Sequence, residues 1–170
     1  MAMKYAFRPL TMDDMPGVTH IYNHYVVHTT TTFHTAPRTE AEMSAMLLFP
    51  EGPYASYALM EEGNLVGYCA LVPFSRREAY AVTAELSLYL KPEARGNGYG
   101  QAMLDFLEKE ALNRGFVSLM ARVTADNAAS IGLFEKNGYT RAGFYEKVGY
   151  KFGKLLDVAA FQKVLKKEKS

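Results

Sequence analysis

The chain has 170 residues, 49% of them hydrophobic and 22% charged, which suits one globular domain that buries its core without staples. A net charge of +1 supplies no broad field for nucleic acid or an anionic membrane, and no window nears the ~18 apolar residues of a membrane span. A single cysteine, Cys69, excludes an intrachain disulfide, and Met1–Phe7 lacks the apolar core of a leader, so the sequence points to the cytoplasm.

Residues 4–8 predict a short first strand. Thr11, followed by Asp13 and Asp14, predicts the start of a helix reaching about His28. Thr39 with Glu42 is a capping-box signature for a second helix. Strands follow at 56–61 and 65–73 around a Glu62-Gly63-Asn64 turn, with Cys69 reading as a small buried hydrophobe. Alternating Leu86, Leu88 and Leu90 predict a strand over 82–91 that Pro92 stops. A helix runs from about Gly98 to Asn113 and ends at Gly115. A strand at 116–123, a helix capped by Asp126 or Asn127, and strands at 139–148 and 153–163 complete the chain. The basic Lys163–Lys169 tail reads as a solvated helix end. The alternation gives one α/β (α+β) domain over 1–170, in the order βααβββαβαββ.

Arg95-Gly96-Asn97-Gly98-Tyr99-Gly100 joins a strand to a helix. Glycines admit a phosphate close to the backbone, the helix start offers unpaired N–H groups, and Arg95 adds a charged donor. A plain tight turn is the alternative. The spacing G-x-G-x-G is not the dinucleotide fingerprint, and Met120-Ala121-Arg122 lacks the acidic residue that fingerprint needs. No Gly-Lys-Ser/Thr run is present.

The pattern Arg95, Gly98, Gly100 resembles the acetyl-coenzyme A motif of the GNAT acetyltransferase superfamily. Asp126 to Tyr139 resembles the next motif of that superfamily, an asparagine followed by a helix and a Gly-aromatic ending. Ile21–Tyr25, Thr32-Phe33, Ala79-Tyr80, Glu85, Val148–Gly153 and Leu156-Asp157 are similar to the phosphinothricin acetyltransferase branch. The resemblance implies a GNAT fold, with a mixed sheet of about seven strands and about four helices. It also implies acetyl-CoA as cosubstrate, a small-molecule amine such as phosphinothricin, methionine sulfoximine or methionine sulfone as acceptor, and a homodimer. Partnership with nucleic acid or membrane is not expected.

Residue by residue, the resemblance makes Glu85 the base, although an ion pair with Arg76 or Arg77 is the alternative. Backbone groups near Leu88, Tyr89 and Leu90 would hold the thioester. Asn127 would contact the pantetheine arm unless it is only a helix cap, and Ser130 and Lys136 would contact the coenzyme. Arg77 and Tyr80, with Arg76 or Ser75, would take the acid group of the acceptor unless 76–78 is a solvated charge run. Phe33 would pack against it. Phe134 stands where many relatives carry a tyrosine acid, which leaves no dedicated general acid there. His20, His24 and His28 share one helix edge, but His20 to His28 spans ~12 Å, too far for one metal ion to meet all three. Two other readings stay open: an acceptor that is a protein N-terminus, lysine or polyamine, and a coenzyme-binding sensor without activity.

Overall fold

The computed structural model describes residues 4–165. Its elements are β1 (Tyr5–Pro9), α1 (Met15–His28), α2 (Glu40–Leu47), β2 (Ala55–Glu61), β3 (Asn64–Pro73), β4 (Thr83–Leu90), α3 (Tyr99–Asn113), β5 (Ser118–Thr124), α4 (Ala128–Lys136), β6 (Thr140–Lys151) and β7 (Lys154–Val164). The seven strands form one sheet in the order β1-β2-β3-β4-β5-β7-β6. All neighbours are antiparallel except β4 and β5.

Each face of the sheet buries a core. Leu59, Cys69, Leu71, Leu86 and Leu119 pack with Met103, Leu104 and Leu107 of α3. On the other face Ala58, Tyr68 and Ala70 pack under Val18, Ile21, Tyr22 and Tyr25 of α1 and Met43 of α2. Strand alternation assigns the sides, so Leu86 and Leu88 face α3 whereas Glu85 and Tyr89 face α1. Burial pushes the Cys69 thiol well up, consistent with an inert packing residue.

Three local differences from the sequence expectations have physical causes. The first helix begins with a 3-10 turn at Met12–Asp14 and becomes α-helical at Met15. Pro16 has no N–H to bond the Met12 carbonyl, so the α pattern starts late. β6 runs on to Lys151, because the tight turn lies at Phe152-Gly153, both left-handed (φ 51° and 74°). Lys163 lies in β7 and pairs with Glu108 at 3.0 Å, so it is no helix end; Lys166–Lys169 fall outside the described residues, as do Met1–Met3.

Candidate functional site

β4 and β5 pair only from Thr83 to Glu85, opposite Ser118 to Met120. Beyond Glu85, β4 continues against β3 and β5 continues against β7. The strands have parted, and the edges they would share carry peptide groups without a strand partner. A cavity of about 220 Å3 fills the gap, bordered by Ser87, Leu88, Asn127, Ser130 and Phe134. It adjoins a second, of about 420 Å3, that runs past Leu90 to Arg95, Gly96, Gly98 and Gly100. On the other side it adjoins a third, of about 700 Å3, lined by Phe33, Glu85, Tyr89, Arg122, Tyr145 and Val148. Thr31 borders all three. The result is one channel, with the glycine loop at one end, Glu85 in the middle and an aromatic-walled chamber at the other.

The glycine loop is built as a cradle. Gly96 and Gly98 hold φ of 79° and 78°, and a Cβ built on Gly96 would meet open space. The first helical bond of α3 runs from Ala102 N–H to Gly98 C=O at 3.1 Å, so the amides of Tyr99, Gly100 and Gln101 have no helical partner. Asn97 Nδ2 closes the turn on the Ala94 carbonyl at 3.1 Å. The Tyr99 ring is buried and donates its hydroxyl to Glu61, so Tyr99 offers the channel its backbone rather than its phenol. Tyr25 organises the entrance. Its hydroxyl donates to the Leu90 carbonyl at 2.5 Å and accepts from Arg95 Nε at 3.2 Å, with the guanidinium 4.9 Å from its ring centre.

Asn127 is the cap of α4 and also stands at the channel wall. Its Oδ1 accepts from Ser130 N–H at 3.2 Å as the cap of α4, and the residue borders the two inner cavities. Lys136 is not brought to the channel; it lies exposed on the last turn of α4, far from the capped end.

Glu85 lies at the last paired position before the strands part. Its partner is Arg122 of β5, not Arg76 or Arg77. Nε donates to Oε1 at 2.6 Å and Nη2 to Oε2 at 2.5 Å, a bidentate pair. The Glu85 side chain is 14% exposed and that of Arg122 51%. The carboxylate pushes the Arg122 guanidinium further up. Ser75, Arg76, Arg77 and Tyr80 occupy the β3–β4 connection, and none of them borders the three cavities. Arg76, Arg77 and Tyr80 are exposed. Of these only Tyr80 stands against a neighbour of the pair: the Phe74 ring lies 5.6 Å from that of Tyr80 and 5.8 Å from the Arg122 guanidinium carbon.

The chamber is walled by the 29–36 connection and by β6. Thr32 is fixed from two sides: its Oγ1 bonds the Tyr22 hydroxyl at 2.6 Å and its carbonyl accepts from Lys151 Nζ at 2.8 Å; the Tyr22 hydroxyl also meets His34 Nδ1 at 2.5 Å. Burial lowers the pKa of both His34 and Lys151. Phe33 then rests on Gly149, where a Cβ would stand 2.9 Å from the ring's Cδ2 and Cζ and closer still to Cε2.

Comparison with known proteins decides the family. Residues 18–139 match the Acetyltransferase (GNAT) family. The phosphinothricin N-acetyltransferase of Streptomyces coelicolor is 36% identical, with 93% of this chain and 95% of that protein covered. The L-methionine sulfoximine/L-methionine sulfone acetyltransferase of Pseudomonas aeruginosa is 30% identical, with 94% of each covered. A solved GNAT superfamily phosphinothricin acetyltransferase from Sinorhizobium meliloti, in complex with AcCoA, superposes with a TM-score of 0.89 at 32% identity, covering 96% of this chain and 89% of that one. The chain belongs to the GNAT family. It is an acetyltransferase.

Two features of this GNAT protein bear on its acid–base chemistry. Phe134 is buried against Tyr139 and Phe161 and carries no proton. Tyr139 donates to Glu108 at 3.1 Å, and burial raises its pKa strongly, so it is a core residue. His20 and His28 lie exposed on α1, with His24 half-buried between them, and no group of three or more His, Cys, Asp or Glu could hold a metal among the described residues. Tyr25, Thr31, Arg122 and Gly149 border or support the channel without a role having been assigned to them from sequence. Arg122 had a signal: it is the charge in the otherwise apolar Leu119–Val123 run, at a position whose alternation shares a face with Glu85 once β4 and β5 are parallel.

Proposed function

We propose that this protein acetylates the amine of a small amino acid or analogue of the phosphinothricin, methionine sulfoximine or methionine sulfone type, by direct attack, with Glu85 as the base. Acetyl-CoA is the acetyl donor. The observation that carries the acceptor reading is the continuity of the channel, in which a narrow arm and a wider chamber meet at one carboxylate.

In this reading the amides at Gly96–Gly100 and the Arg95 guanidinium hold the pyrophosphate. Asn127 and Ser130 line the arm, and free backbone donors near Leu88–Leu90 stabilise the oxyanion. A peptide α-amino group has a pKa of about 8, and that of a free amino acid, beside its own carboxylate, lies higher, so freeing the amine of its proton at pH 7 costs at least about 1.4 kcal/mol, within the capacity of Glu85 directly or through a water. The thiolate leaves without a dedicated acid, since a thiol pKa is near 8.5, which suits Phe134. Phe33 packs the acceptor's side chain. Arg77 and Tyr80, with Ser75 and Arg76, meet its far acidic end.

We assign the protein to the cytoplasm and to a homodimer. Among the described residues no helix is long and apolar enough to cross a membrane. The β6–β7 hairpin exposes Phe144, Tyr150, Phe152 and Leu155, an apolar face suited to a second copy.

The test is thiol release from acetyl-CoA against a panel of amines. Methionine sulfone and phosphinothricin are expected to be acetylated in preference to polyamines, lysine peptides and protein N-termini. Preference for one of the latter contradicts the acceptor assignment. Coenzyme binding without turnover on a broad panel makes the protein a sensor.

A further inference from the structure

The Glu85–Arg122 pair is exposed to the acceptor chamber on one side only of its charge balance. Glu85 is nearly covered, whereas half of the Arg122 side chain is accessible, and both residues border the 220 Å3 and 700 Å3 cavities. A guanidinium has five N–H donors arranged in two forks. Glu85 takes Nε–H and one N–H of Nη2. The other N–H of Nη2 and both of Nη1 make no hydrogen bond among the described residues. The Phe74 ring, 5.8 Å from the guanidinium carbon, supports the plane of the group.

We propose that this free fork of Arg122 binds the carboxylate of an α-amino acid acceptor while Glu85 meets its amine. The inference rests on the acetyl-transfer reading above and names what that site selects. In an α-amino acid the ammonium and carboxylate are attached to one carbon. A contacting carboxylate–guanidinium pair presents the two complementary charges at the same short spacing. The pair is neutral, so it matches a zwitterion, and it offers a polyamine or a lysine side chain only one carboxylate that Arg122 already neutralises. Arg122 is thus a specificity-determining residue that also positions the base. Arg77 is exposed on the β3–β4 connection and borders none of the three cavities, whereas Arg122 lines two of them, so the two arginines stand at two depths. The inner one serves the α-carboxylate and the outer one serves a second acid group at the end of the side chain.

The test compares methionine sulfone with its carboxamide, which keeps the amine and side chain and removes the carboxylate. Wild type is expected to favour the acid in kcat/KM by roughly 10- to 100-fold, the range for losing a charge-assisted pair. In Arg122→Gln the ratio falls to within about threefold of one, whatever common loss follows from releasing Glu85. Arg122→Lys, which keeps the charge without the fork, falls between. A merely structural role for Arg122 lowers both substrates together and leaves the ratio intact, which overturns the proposal. A wild type indifferent to the carboxylate overturns it too, with acetyl transfer still standing. If no amine is acetylated, the function assigned above fails, and binding decides the rest. Methionine sulfone that raises the melting temperature of the coenzyme-bound wild type, and not of Arg122→Gln, supports the carboxylate site; equal shifts or none in both refute it.

Discussion

Gly98 is the residue on which the glycine loop, the proposed coenzyme cradle, turns. It caps α3 in the left-handed region at φ 78°, a conformation that costs other L-residues roughly 1–2 kcal/mol. Gly98→Ala is expected to lower stability by about that amount and to raise the KM for acetyl-CoA several-fold more than that for the amine, as steady-state kinetics will show. A second residue-scale prediction concerns Asp14, far from the channel. Arg8 donates to both of its oxygens at 2.7 Å and the Thr11 amide donates at 2.9 Å, which holds the Asp14 carboxyl below its ordinary pKa. A depressed native pKa stabilises the fold above the unfolded value of about 3.9, and that contribution disappears as the pH falls through the native value. Arg8 is partly solvated, so Asp14→Asn is expected to cost only about 1–2 kcal/mol at pH 7. In urea titrations the gap from wild type narrows below about pH 4.

At the scale of elements, the chamber wall depends on how the α1–α2 connection meets β6. Lys151 ties the Thr32 carbonyl, and Gly149 leaves room for the Phe33 ring. Gly149→Ala moves that ring, because the new methyl would overlap it. The expected result is a changed acceptor range, with the KM for bulky amines rising about tenfold relative to that for the smallest, while KM for acetyl-CoA is unchanged. An unaltered acceptor profile would remove Phe33 from the chamber wall. The same level shows what sequence carries. The order of elements was readable because capping residues, Pro92 and alternating leucines act over a few positions. The Arg95–Gly100 cradle and the Asn127 cap were readable for the same reason. The Glu85–Arg122 pair was not, since β4 meets β5 only through a parallel register set by the whole sheet order. The exposed loop of Arg76 and Arg77 is adjacent in sequence to β4, which made an ion pair with Glu85 the natural alternative; the carboxylate pairs with Arg122 instead. Lys136 lies in the motif that Asn127 opens, yet stands exposed on the last turn of α4 and borders neither inner cavity.

For the molecule as a whole, the sheet splits its labour. Strands β1–β4 and both cores form a stable frame, and the parting of β4 from β5 opens the channel through it. The β6–β7 hairpin supplies Tyr145 and Val148 to the chamber and exposes Tyr150 at the sheet edge. Pairing of two copies through this hairpin would couple assembly to the acceptor site. Sedimentation is expected to give a dimer, and Tyr150→Glu to weaken it at least tenfold; a wild-type monomer at micromolar concentration would exclude that assembly. Arm and chamber meet at Glu85, and acetyl transfer is expected there. The direct measurement is the profile of kcat/KM from about pH 6 to 9 for wild type and Glu85→Gln, with coenzyme affinity measured alongside. Glu85→Gln is expected to lose about 100-fold or more near neutral pH, with acetyl-CoA binding retained. Full kcat/KM for Glu85→Gln across that range would contradict it.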